Sequence, residues 1–154
     1  MKNVTCAIVI ANKDGDILGC HGTNKPIANG YDLPKGCRDA SDENDLETAL
    51  RELREEAGHV LTDEEKSHVI DGGIHHHNAK KNIHLFIYKV AKFPDLSKLK
   101  CTSYFTNDYG KEIPEVDGYR IIKKDERSKY FYNVLQDKFC IIDKILNDDL
   151  EKFD

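Results

Sequence analysis

From Asp45 to Ala57 the apolar residues Leu46, Ala49, Leu50, Leu53 and Ala57 fall at i, i+3, i+4, i+7 and i+11, one stripe of an amphipathic α-helix. Gly58 follows where a helix C-cap sits. A helix with a single apolar stripe must lie on another apolar surface, and the rest of the chain offers strands for it. Val4 to Ala11 is an almost continuous β-branched apolar run, the pattern of a buried strand, and Lys13-Asp14-Gly15-Asp16 supplies turn chemistry before a second strand at Ile17 to Cys20. The stretch from Gly22 to Gly36, with Pro26, Gly30 and Pro34, reads as an irregular loop with a short strand near Tyr31 to Leu33. Asn82 to Ala91 has the content of a central strand, and 67–75, 101–106 and 115–122 are weaker strand candidates. Phe131, Val134, Leu135, Phe139, Ile142, Ile145 and Leu146 then keep a helical period over about four turns, with Ser128 as its N-cap. The order of strands, helix, strands and helix predicts an α+β fold in which helices cover a mixed sheet.

The stretch is 154 residues long, which predicts one domain over residues 1–150 and a short acidic tail at 151–154. Hydrophobic residues make up 39%, and no apolar run approaches the ~18 residues needed to span a bilayer, so a membrane protein is not expected. The net charge of −5 argues against generic binding along a nucleic-acid backbone, although a bound cation can reverse the sign of a site locally. Cys6, Cys20, Cys37, Cys101 and Cys140 are scattered without C-x-x-C spacing, and the N-terminus lacks a secretory pattern, which together predict reduced thiols and a cytoplasmic location.

The chemistry concentrates on the first helix. Glu52, Glu55 and Glu56 stand at i, i+3 and i+4, so their carboxylates share one face while the leucines share another. Crowding three like charges gains nothing on a bare surface, whereas a hard divalent cation bound by oxygen ligands turns the repulsion into coordination. Histidines 75–77 are not read as a metal site, because neighbours on an extended chain point to opposite sides. Nucleobase recognition calls for an aromatic face. On the strand from Asn82, His84, Phe86 and Tyr88 alternate with Ile83, Leu85 and Ile87, which makes Tyr88 and His84 the stacking candidates. Lys80 and Lys81 precede that strand and are placed to reach distal phosphates.

The segment Leu33 to Val60 resembles the signature of the Nudix hydrolases. Glu43, the spacer Asn44 to Leu50, Arg51-Glu52, Leu53, Arg54, Glu55-Glu56, Ala57 and Gly58 fit that pattern in order. Two departures stand out: six residues rather than five separate Gly36 from Glu43, and His59 occupies an apolar position, with Val60 next to it. Asp42 is the alternative to Glu43 for the loop carboxylate; Glu43 is preferred on its spacing to Arg51. The resemblance implies a Nudix-type α/β/α sandwich and hydrolysis of a pyrophosphate linkage with Mg²⁺, or Mn²⁺, as cofactor. It implies Glu52 and Glu56 as direct metal ligands, Glu55 in the metal shell or orienting a water, the Gly36 carbonyl as a further ligand, and Arg51 paired with Glu43. Leu33-Pro34-Lys35-Gly36 is similar to the loop of dinucleoside polyphosphate hydrolases and RNA 5′ pyrophosphohydrolases, with Lys35 as a phosphate-binding cation. Residues 45–52 and 115–120 are also similar to the diadenosine tetraphosphate (Ap4A) hydrolases, making Glu115 a candidate metal ligand or general base. The expected substrate is therefore a nucleoside polyphosphate such as Ap4A. The alternatives are a triphosphorylated RNA 5′ end, another nucleoside diphosphate derivative, a diphosphoinositol phosphate, or binding of a nucleotide without cleavage.

Overall fold

The computed structural model describes residues 2–148. Strand β1 (Asn3–Ala11) is the pivot of the molecule. It runs into β2 (Ile17–Gly22) through the expected turn, in which Asn12 Oδ1 accepts the backbone N–H groups of Asp14 and Asp16. After β3 (Tyr31–Asp32), a strand that the sequence did not announce, β4 (Lys35–Cys37), returns antiparallel to the first half of β1. It finds room there because β1 meets β2 only at Ala11 and Ile17 and leaves its other end open.

Helix α1 (Asp45–Ala57) has the bounds its periodicity predicts. Asn44 caps its start by accepting the Glu47 N–H, and Gly58, at φ 66°, ends it with an N–H donated to the Arg54 carbonyl. Helix α2 (Asp63–Ser67) follows, held by a capping box between Thr62 and Glu65. It was not anticipated. Val60 does not take the apolar place after Gly58: it is 63% exposed, and Leu61 is the residue that enters the core.

Strands β5 (Ile70–His76) and β6 (Lys81–Lys89) form a bulged hairpin, and β6 lies parallel to β1 along its whole length. Beyond a 3-10 turn at Leu96–Lys98, the small hairpin of β7 (Tyr104–Thr106) and β8 (Glu112–Pro114) stands outside the main sheet. Strand β9 (Val116–Ile122) then joins β2. The main sheet has the order β3-β2-β1-β6-β5, with β4 and β9 paired to its middle strands.

Both faces of this sheet are covered, which explains why β1 reads as a continuous apolar run. Cys6, Ile8 and Ile10 of β1, with Phe86 and Tyr88 of β6, pack against Ala49, Leu53 and Ala57 of α1. Ala7, Val9 and Ala11, with Ile83, Leu85 and Ile87, meet Phe131, Leu135, Phe139, Ile142 and Leu146. The expected sandwich is therefore present. The expected pocket face on β6 is not, because Phe86 and Tyr88 belong to the core under α1.

The C-terminal helix also departs from expectation. Helix α3 (Arg127–Tyr130) stops after one turn, a 3-10 stretch covers Asn133–Lys138, and α4 (Phe139–Asp148) resumes. Ser128 lies inside α3 rather than at a cap. The helical path breaks because Phe131 turns extended to bridge Tyr31, and the Tyr132 N–H is donated to the Tyr31 carbonyl at 2.9 Å. The expected tail at 151–154 lies outside the described residues. Among the described residues no helix is long and apolar enough to cross a membrane.

Tyr88→Ala tests the core placement. It is expected to destabilise the fold by about 3–5 kcal/mol in urea titration, as other large aromatic truncations do, rather than to act as a selective change in substrate affinity.

Candidate active site

The register of α1 decides the site. With Ala49, Leu53 and Ala57 committed to the core, Glu52 and Glu56, one turn apart, are carried to the edge where β4 passes, and both are largely buried. Gly36 lies directly against Glu52: a Cβ added there would collide with the Glu52 carboxylate, so any larger residue would displace that side chain. The carboxyls of Glu52 and Glu56 stand close enough to influence each other directly. Burial, and then the Glu52 carboxyl, push Glu56 up to about 10, and burial also raises Glu52.

A cavity of about 200 Å³ opens beside this pair, lined by Cys20, Asp32, Lys35, Glu56, Glu115 and Tyr132 among others. Lys35 Nζ lies 3.0 Å from Asp32 Oδ2. Burial works against the Lys35 charge, but the adjacent Asp32 carboxylate outweighs it and holds the ammonium above the usual lysine value. Glu115 is held through its main chain: its N–H is donated to the Ser103 carbonyl at 2.9 Å, and its carbonyl accepts the Thr23 N–H at 3.1 Å. The pocket thus gathers Glu56, Asp32 and Glu115 around one lysine already engaged by Asp32, with Glu52 beside Glu56 on the helix. An acid excess in a buried setting, with two neighbouring buried carboxyls, fits a divalent cation. Glu52 and Glu56 are the groups that could hold it, and Gly36 lies against Glu52. Among the described residues no three His, Cys, Asp or Glu side chains form a ready-made ligand set, and Glu55 shows one reason: its carboxylate is turned to Arg51 at 2.8 Å.

Arg51 is the hub of the loop. Its guanidinium donates to both Asp42 oxygens at 3.0–3.2 Å, to the Cys37 carbonyl at 3.1 Å, to Glu52 at 3.0 Å and to Glu55. The hydrogen bonds from Arg51 hold Asp42 well below the usual carboxylate range. The expected Glu43–Arg51 pair does not form, and Asp42 takes that place. Counted to Asp42, the spacer from Gly36 is Cys37 to Ser41, the family's five residues, so the extra residue lies after the loop carboxylate and Glu43 is left exposed. The loop is closed by Asp39 N–H and Thr48 Oγ1, both donated to Asp42 Oδ2.

The remaining sequence candidates lie elsewhere. Tyr88 is 3% exposed, with its hydroxyl donated to Glu65 at 3.1 Å. His84 stacks on Phe86 and is gripped by Asp45 and Asp71 at 2.8 and 2.7 Å, in a separate cavity with Arg38. Lys81 starts β6 opposite Asn3 and does not line the carboxylate pocket. The three successive histidines diverge: His75 reaches the Gly72 carbonyl, His76 meets Lys2, and His77 is buried. Asp32 and Tyr132 are site residues the sequence did not announce. Asp42 stood as the alternative to Glu43, and its five-residue distance from Gly36 was the signal that favoured it.

The sequence profile described as the NUDIX domain matches residues 1–126. The chain belongs to the Nudix family. Its intact carboxylate helix and this membership make it a pyrophosphohydrolase acting on nucleoside diphosphate derivatives, a class that works with divalent cations. An uncharacterised 17.7 kDa protein of the e-segB intergenic region of enterobacteria phage T4 is 29% identical over 131 residues, covering 82% of this chain and 85% of that protein. The NUDIX domain of Shewanella oneidensis NrtR, complexed with ADP ribose, superposes with a TM-score of 0.67 at 15% identity, covering 95% of this chain and 89% of that one. A C. elegans Ap4A hydrolase binary complex gives 0.61 at 17% identity, covering 95% and 98%. At these identities both structures establish the Nudix fold.

Two outcomes follow from the site. Asp42→Ala is expected to lower stability by about 1–3 kcal/mol, the scale of a lost charge-assisted bond, whereas Glu43→Ala stays within about 0.5 kcal/mol; parallel urea titrations separate them. For Glu56 the folded value lies above the unfolded one, so its burial is harmless below about pH 4.5 and costs stability as pH rises toward 10. Metal-free protein should therefore melt higher at pH 5 than at pH 8. Glu56→Gln should remove that slope, stabilising the metal-free protein at pH 8 by roughly 1–4 kcal/mol.

Proposed function

We propose that this Nudix enzyme hydrolyses a dinucleoside polyphosphate, Ap4A being the leading substrate, with Mg²⁺ as the working cation and ATP and AMP as products. The observation that carries the reading is the carboxylate pocket itself, in which Glu56 and Glu115 line the same cavity as Lys35, next to a second, larger cavity. A substrate with several phosphates and a nucleoside on each end suits a narrow charged pocket opening into a wider one. The loop Leu33 to Gly36 and the likeness to the C. elegans Ap4A hydrolase point the same way.

In this reading Glu52, Glu56 and the Gly36 carbonyl would hold the cation, which when bound would neutralise phosphate charge and lower the pKa of the attacking water. Lys35, kept charged by Asp32, binds a phosphate oxygen of the substrate. Glu115 accepts the proton of the water. Water then attacks one phosphorus in line, the bond from that phosphorus to the bridging oxygen breaks, and the bridge leaves on the departing phosphate. Glu55 stays with Arg51 and fixes the orientation of the helix against the loop.

A panel of Ap4A, ADP-ribose, dGTP, a diphosphoinositol phosphate and 5′-triphosphorylated RNA at fixed Mg²⁺ tests the substrate. Ap4A is expected to give the highest kcat/KM, and a clear preference for ADP-ribose or RNA would move the substrate assignment to that class. Glu56→Gln should lower kcat/KM for the best substrate by at least about 100-fold, or ~2.7 kcal/mol; a loss of only a few-fold would refute the metal role.

A further inference from the structure

Glu115 has no side-chain support of its own. Its carboxylate makes no hydrogen bond or ion pair among the described residues, although its charge is close enough to act on Glu52. The direction of that carboxylate is therefore set by the main chain. The Glu115 N–H is held by the Ser103 carbonyl, and the Glu115 carbonyl accepts the Thr23 N–H. Just beyond, the pairing of β9 with β2 slips: His21 faces Gly118 and Gly22 faces Val116, so Asp117 is an extra residue without a partner across the ladder. An extra residue of this kind is a β-bulge, a device that re-aims neighbouring side chains.

One histidine holds the bulge. His21 is buried, with Nδ1 at 2.5 Å from Asp117 Oδ1 and Nε2 at 3.2 Å from the Pro26 carbonyl. A carboxylate and a carbonyl only accept, so both bonds form together when the ring carries both protons. Burial works against that charge, but the Asp117 carboxylate and the Pro26 carbonyl outweigh it and hold the histidine above its ordinary value. Gly118, across from His21, puts no side chain beside the ring and leaves that side of the ladder to Asp117. The bond to Pro26 fastens the loop between β2 and β3, which also closes on itself through the Gly22 N–H and the Gly30 carbonyl at 3.0 Å. That loop supplies the Thr23 N–H to Glu115, so His21 joins the two segments on which the direction of Glu115 depends.

We infer that His21 is a positioning residue for Glu115: by joining Asp117 to the Pro26 carbonyl it fixes the bulge and the loop that aim the Glu115 carboxylate at the pocket. The inference rests on the reading of Glu115 as the proton acceptor. His21 lines neither the carboxylate pocket nor the cavity beside it, so its effect falls on kcat through Glu115 rather than on substrate affinity. Asp117 keeps 42% of its side chain exposed, and its removal breaks the same link from the surface.

A double-mutant cycle with Glu115→Gln tests this in steady-state kinetics of the full chain on the best substrate of the panel, with Mg²⁺. Alone, Glu115→Gln should lower kcat by about 100-fold. His21→Asn keeps a donor near Nδ1 and His21→Gln keeps one near Nε2, so each preserves one of the two bonds. Both of these, and Asp117→Ala, should lower kcat by about tenfold with KM within about threefold. In the Glu115→Gln background the same changes should cost less than about twofold. Amide hydrogen exchange adds a readout that needs no activity: the Thr23 and Glu115 N–H groups should exchange about tenfold faster in Asp117→Ala, while the amides of β1 keep their rates. Because Asp117 is part-exposed, its variant stays decisive if the His21 variants do not fold. Equal losses of kcat in both backgrounds, or unchanged exchange at Thr23 and Glu115 in Asp117→Ala, would overturn the inference. Failure of the two readings is distinguishable. A parent that hydrolyses nothing, with both amides still dependent on Asp117, sinks the enzymatic reading alone; a loss in Glu115→Gln that the Asp117 and His21 variants do not share sinks the positioning alone.

Discussion

The burial of two acidic side chains on a core helix governs the rest of the molecule. Glu52 and Glu56 share α1 with Leu53 and Ala57, so any rotation of the helix that exposed the carboxyls would also strip apolar surface from the core between α1 and the sheet. The surroundings hold that rotation from three sides. Arg51 ties the helix to the preceding loop through Asp42 and the Cys37 carbonyl. Gly36 lets β4 pass close to Glu52. At the far end the carbonyls of Glu55, Glu56 and Ala57, which have no partner within the helix, accept from Thr102 N–H, Tyr119 Oη and Lys100 N–H. The long excursion between β6 and β9 thus secures the end of the helix that carries the acids and delivers Glu115 to the pocket.

What could be read from the sequence was what repeats locally. The apolar period of α1, its glycine stop and the acidic face all follow from spacing along one element, and β1 advertises its double burial by an unbroken apolar run. What escaped was created by tertiary pairing. Strand β4 has no apolar signature, and it exists because β2 leaves half of β1 unpaired. Tyr132 reaches the site because Phe131 abandons the helix to bridge Tyr31, a choice invisible in a heptad of apolar residues that reads as continuous. Tyr88 misled for a related reason. Alternation on β6 looked like one apolar and one functional face, but a tyrosine whose hydroxyl finds Glu65 can be buried, and α1 covers that side. Asp42 and Glu43 are adjacent acids, and only the closed loop decides which of them meets Arg51.

The distribution of charge gives the site its logic. Residues 37–65 hold 11 acidic and 3 basic side chains, a net of −8, so the remainder of the chain carries +3. The acids are concentrated on the loop and helix, while Lys35 comes from β4 and Lys25 from the loop after β2, both outside that segment. A polyanion approaching the bare helix would be repelled; one approaching a helix whose buried carboxyls are neutralised by a divalent cation meets cations on the sheet side as well. Lys35 is already kept charged by Asp32, so that positive group needs no rearrangement on arrival of substrate. The carboxyls of Glu52 and Glu56 behave oppositely, since burial holds them toward the protonated form until a cation compensates for their desolvation. In the proposed site, cation binding would therefore be coupled to proton release at this helix, and the affinity for the cation would rise with pH across the range in which Glu56 otherwise keeps its proton.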